Sequence, residues 1–149
     1  MGILKYKKIF ILFIISFTII ILSAKNEYTP KPPILTVNSE KISIPTTQGS
    51  YCWNGLLKDI CVDMVSPPEL INSKPIIVPE NTSLKLNFSK KPKKNSITVN
   101  IWDNNISSKK VDFKNNILKV PKEKGTYIYD VNAEWQKGNS SYVFVIQIK

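Results

Sequence analysis

Cys52 and Cys61 are the only cysteines in the chain, and it contains neither histidine nor arginine. Two thiols without an imidazole cannot complete a zinc site unless carboxylates join them, and a catalytic cysteine would lack its usual base. What remains is oxidation: an even pair, in a chain sent to an oxidising compartment, is read as a disulfide. Closing a loop of about ten residues contributes on the order of 2.5 to 3 kcal/mol by restricting the unfolded chain. Three carboxylates, Asp59, Asp63 and Glu69, fall nearby, but nothing in the spacing brings two of them together. No glycine-rich phosphate loop, metal-ligand set or nucleophile–base pair is visible. The chain is therefore expected to be a non-enzyme with no cofactor and no metal.

The compartment follows from the amino-terminal stretch. Ile9 to Ala24, IFILFIISFTIIILSA, is an apolar run preceded by Lys5, Lys7 and Lys8. It is long for the apolar region of a signal peptide and short of the roughly 20 residues that a membrane span requires. Residues 1–25 are thus expected to be either a signal peptide, with Ala24 at the cleavage point, or a signal anchor holding the carboxyl side outside the membrane. Lys25 stands where a lipoprotein would carry its cysteine, which excludes lipid attachment there. Residues 26–33, NEYTPKPP, are expected to form a proline-rich extended linker, and 34–149 a single domain.

Of the formal charge of +10, four units lie in Lys5, Lys7, Lys8 and Lys25, leaving about +6 on the remainder. A positive surface made of lysine alone gives diffuse, salt-sensitive attraction to polyanions rather than bidentate recognition of phosphate. Its densest run is Lys90, Lys91, Lys93 and Lys94 around Pro92. The run looks like a nucleic-acid motif, but an exported chain would not meet nucleic acid. It is read as a solvated hairpin loop able to attract anionic lipid head groups or wall polymers, at up to about 1 kcal/mol per lysine. Tyr51 and Trp53, flanking Cys52, either form an exposed partner-binding patch or pack their loop onto the core. Trp102 shares parity with Thr98 and Asn100 rather than with Ile97, Val99 and Ile101. Either a bulge turns it inward or it faces solvent and anchors a partner.

These groups must be carried on strands. Short β-type runs are predicted at 34–38, 41–45, 60–65, 76–79, 83–89, 96–102, 109–113, 117–120, 126–135 and 141–149, with one helical turn starting at Ser66-Pro67-Pro68. Leu84, Leu86 and Phe88 oppose Ser83, Lys85 and Asn87, and Tyr127 to Trp135 alternate with Asp130, Asn132 and Glu134, as half-buried antiparallel strands do. Val143 to Ile146 are consecutively apolar, the mark of a strand covered on both faces. Lys137-Gly138-Asn139 supplies the turn between the last two strands. So many short strands indicate an all-β, two-sheet sandwich.

The phrase Lys124-Gly125-Thr126-Tyr127-Ile128-Tyr129 resembles the approach to the penultimate strand of immunoglobulin-like domains, where a tyrosine hydrogen-bonds back across the corner. A local Cys52–Cys61 link differs from the long-range bridge of antibody domains. The arrangement GSYCW at 49–53, Cys61-Val62-Asp63 and Pro67-Pro68, with GTYIYDVNAEW and YVFVIQI towards the carboxyl end, resembles a group of uncharacterised exported proteins and lipoproteins of Gram-positive bacteria. That resemblance implies a compartment and a fold, and no activity. The expectation is an extracytoplasmic immunoglobulin-like β-sandwich, secreted or tethered by its leader, with a binding or structural role at the cell surface. The alternative is a secreted inhibitor or accessory factor acting on another protein.

Overall fold

The computed structural model describes residues 3–24, 31–55, 58–103, 107–111 and 113–149. The chain divides into two units, Met1–Pro30 and Lys31–Lys149. The first contains the helix α1, Ile3–Ala24. Among the described residues no helix is long and apolar enough to cross a membrane.

Among its described residues the second unit is all-β apart from one helical turn, and its strands form two sheets. The first contains β1 (Leu35–Asn38), β2 (Ser43–Ile44), β6 (Ser83–Phe88), β9 (Phe113–Lys114) and β10 (Ile117–Lys119), in the order β2-β1-β6-β10-β9. The second contains β3 (Thr47–Asn54), β4 (Asp59–Val62), β7 (Thr98–Asp103), β8 (Ser107–Lys110), β11 (Gly125–Trp135) and β12 (Gly138–Ile148), in the order β4-β3-β12-β11-β7-β8. A short strand β5 (Ile76–Ile77) runs parallel to β12 beyond the point where β3 leaves it, and every other pairing is antiparallel. The inner faces share one core, with Leu35, Val37, Leu84, Leu86 and Leu118 from one sheet against Val99, Val131, Tyr142, Phe144 and Ile146 from the other. That is a two-layer sandwich, and the alternation in β6 and β11 places the apolar residues inside it.

Several local readings shift. The domain begins at Lys31, since Pro32 and Pro33 are buried and the Tyr142 hydroxyl donates to the Pro33 carbonyl. The run 109–113 is divided between β8 and β9, which belong to different sheets. The turn between β11 and β12 is Gln136-Lys137, one residue earlier than predicted, because Gly138 already pairs with Trp135. Neither turn residue has positive φ, so Gly138 takes up the strand twist instead, with φ of 150°. The tyrosine bond expected at the corner is present, Tyr127 Oη donating to the Glu123 carbonyl at 2.9 Å.

β3 is the strand that the sequence pattern hid. Its residues, TQGSYCWN, are mostly polar and include a glycine, yet it lies between β4 and β12. Cys52 and Cys61 are directly opposed on β3 and β4 and are joined by a disulfide with Cα atoms 4.1 Å apart. Ser140 pairs with Tyr51 and Tyr142 with Gln48, so Gly49 and Ser50 together face Ser141 in a β-bulge.

Candidate functional site

Two surfaces of the sandwich gather chemistry. The first is the end at which β6 turns into β7. Lys90, Lys91, Lys93 and Lys94 are all exposed, as the sequence suggested, but their loop is not a free one. Trp135 Nε1 donates to the Lys90 carbonyl at 2.9 Å, the Lys93 amide donates to the Glu134 carbonyl at 2.8 Å, and Ser96 Oγ donates to the same carbonyl at 3.1 Å. The loop is thereby stitched along the end of β11. Lys137, in the β11–β12 turn, joins Lys90, Lys91 and Lys93 around a hollow of about 320 Å³ whose floor contains Trp53 and Trp135. The Asn54 amide donates to the Lys137 carbonyl at 2.7 Å, which fixes that turn against β3. One ion pair tempers the charge, Lys93 Nζ lying 3.7 Å from Glu134. Both partners are more than half exposed, so the pair contributes little to stability.

Trp53 is 5% exposed and packs edge-on against Trp135 at 5.7 Å, so it belongs to the core and offers no patch to a partner. Tyr51 is half-buried and packs against the same core. The disulfide beside them holds edge strand β4 onto β3 and so borders, rather than forms, a site.

The second surface is the outer face of the larger sheet. Register places Thr98, Asn132 and Ser141 in one row across β7, β11 and β12, with the bulged Ser50 completing it on β3. At about 4.8 Å between strands, that row extends about 14 Å. The next row is Asn100, Asp130 and Val143, and the one after it Trp102, Ile128 and Val145. The segment that follows β4 crosses this face and contains the helical turn α2 (Pro67–Leu70), which packs on β3 and β11 and buries Leu70. It is pinned by the Met64 amide donating to Ser50 Oγ at 2.9 Å. Trp102 is thus neither turned inward nor free in solvent, because it stands on the outer face, half-buried, in a cavity of about 390 Å³ also lined by Leu70 and Asp130. A second hollow of about 380 Å³ shares Ser50, Asn132 and Ser141 with it, so the two form one trough.

The electrostatics of the trough centre on Asp130. Burial raises its carboxyl above the ordinary 3.8, opposed by hydrogen bonds from Asn132 and Asn100. Asn132 Nδ2 donates to it at 2.7 Å. Trp102 Nε1 is buried and, among the described residues, meets no acceptor. Asp63 and Glu134 stand on the lining, which among the described residues includes no lysine. Among the described residues no group of three or more acidic or cysteine side chains could hold a metal ion.

Sequence reasoning had named the polar faces of 98–102 and 130–134 separately. It lacked only the step of setting the two strands side by side, which would have shown a continuous polar surface. Lys137 was beyond such reasoning, because its arrival at the lysine loop depends on the hairpin tip lying against β3. Set against protein-family models, curated proteins and solved structures, the chain matches none.

Proposed function

We propose that this is an exported, non-catalytic binding domain of the cell surface, an immunoglobulin-like sandwich whose lysine-bearing end attaches to anionic polymers of the envelope. The observation that supports it most directly is the gathering of Lys90, Lys91, Lys93 and Lys137 around one hollow on a loop held by main-chain hydrogen bonds. A fixed backbone spares the ordering cost that a floppy basic tail would incur on binding. Export is supported by the leader, which engages the membrane on the way out, and by a disulfide, which persists in an oxidising compartment. The tyrosine corner at Tyr127 supports the immunoglobulin-like assignment.

The ligand chemistry is a repeated phosphate or carboxylate, as found in wall polymers and in anionic lipid head groups. Its test uses residues 31–149, which contain the entire core. The domain is expected to co-sediment with vesicles containing phosphatidylglycerol, or with immobilised poly(glycerol phosphate), but not with phosphatidylcholine vesicles. Whichever binds more tightly identifies the source. At up to about 1 kcal/mol per lysine, changing Lys90, Lys91, Lys93 and Lys94 to Ala weakens binding by about 10² to 10³ at low salt. Binding that persists unchanged at high salt, or in the quadruple variant, refutes the proposal.

A further inference from the structure

We infer that the trough on the outer face of the larger sheet is a binding site for a neutral saccharide. It goes beyond the basic end and does not rest on it, since among the described residues no lysine lines the trough. Three properties of the lining select the ligand. Asp63, Asp130 and Glu134 are its charged groups, and their sign disfavours phosphate and carboxylate ligands. The row of Thr98, Asn132, Ser141 and Ser50 presents short hydroxyl and amide groups, each able to donate and accept, at strand spacing. A sugar's ring of hydroxyls has the same dual character and can add to the bonds that Ser50, Asn132 and Ser141 already make with Met64, Asp130 and the Ser50 carbonyl. Trp102 supplies an aromatic wall at one end, suited to the C–H face of a pyranose, in a hollow within the size range of small-ligand sites.

The site is also built rather than incidental. Asp130 is held half-buried by Asn132 and Asn100 despite the cost of desolvating a carboxylate, and a carboxylate so placed is a strong acceptor for paired sugar hydroxyls. The bulge at Gly49 and Ser50 opens the wall on β3. A Cβ on Gly49 would meet Ser141 Oγ at 2.3 Å, so the glycine leaves that hydroxyl its place.

Titration of the ¹⁵N-labelled domain with chitotetraose and cellotetraose tests the inference. The expected result is that at least one of them shifts the side-chain amides of Asn100 and Asn132 and the indole signal of Trp102, in a manner indifferent to salt. Asp130→Ala and Trp102→Ala each weaken binding by about tenfold or more, the loss of one well-placed contact. Asp130→Asn, which keeps the shape, separates loss of an acceptor from loss of fold, and the unchanged amide spectrum of the core verifies folding. The quadruple lysine variant binds the saccharide as the parent does, so failure at the basic end remains distinct from failure here. Absence of shifts with both sugars at about 10 mM, where even a Kd in the millimolar range is visible, overturns the inference. So does binding that the trough variants leave intact.

Discussion

Gly138→Ala tests the geometry on which both surfaces depend, because Gly138 opens β12 and faces Trp53 on β3. A Cβ built there falls 2.0 Å from the Cys52 carbonyl oxygen and 3.0 Å from Trp53 Cα, both main-chain atoms that no rotamer change can move aside. The φ of 150° is in addition closed to an L side chain, and adopting it costs about 1–3 kcal/mol. Relief requires β3 to retreat from the hairpin, which loosens the Gly138–Trp53 pairing and the bond from the Asn54 amide to Lys137. At about 1 kcal/mol net for each hydrogen bond, the total loss is about 3–5 kcal/mol. That is a large share of the 5–15 kcal/mol typical of a domain. Thermal unfolding followed by circular dichroism should show Tm lowered by about 12–20 °C, at about 4 °C per kcal/mol for a domain of this size. Gly49→Ala is the control, because its obstacle is a hydroxyl that can rotate away, and its cost should be about 1 kcal/mol. Equal stability of the two variants, or a Gly138→Ala change below about 4 °C, would refute the reasoning.

Replacing both Cys52 and Cys61 by Ala should lower stability by about 2.7 kcal/mol on the chain-entropy estimate, with amide exchange rising first across β4, the edge strand that the bond secures. Unchanged exchange across Asp59–Val62 would count against that role. Tyr129 is fully buried and stacked on Phe144 at 4.8 Å, and its hydroxyl finds no acceptor among the described residues, so burial holds its pKa far above the ordinary value. Tyr129→Phe should therefore stabilise the domain by about 1 kcal/mol or more in denaturant titration, and a loss would show that the hydroxyl is satisfied. Asp130 has its folded pKa raised, so its contribution is most favourable below the unfolded value of 3.8 and declines as pH rises through the folded pKa. Asp130→Asn should accordingly raise Tm at neutral pH and leave it nearly unchanged below pH 3.8, and the reverse order of effects would exclude the burial argument.

Much of this architecture was legible in the residues themselves. The alternation in β6 and β11 needs no partner to be read, since period two with one apolar face already specifies which side is buried. The consecutive apolar residues of β12 announced cover on both faces, which the structure supplies: Phe144 and Ile146 belong to the core, while Val143 and Val145 are buried on the opposite side. β3 was hidden because its outer face borders a polar trough, so its hydroxyls and glycine imitate a loop. Trp102 was misplaced for a related reason. Parity identified its face correctly but could not reveal that the segment after β4 would fold back over it.

The placement of β12 bears on the order in which the domain can assemble. It follows every other strand of the domain in sequence, yet it lies between β3 and β11 and also receives β5. The larger sheet therefore lacks its spine until β12 is available, and β3 and β11 cannot be joined within it before then. Closing that sheet waits on long-range pairing, whereas the short Cys52–Cys61 hairpin needs only local residues.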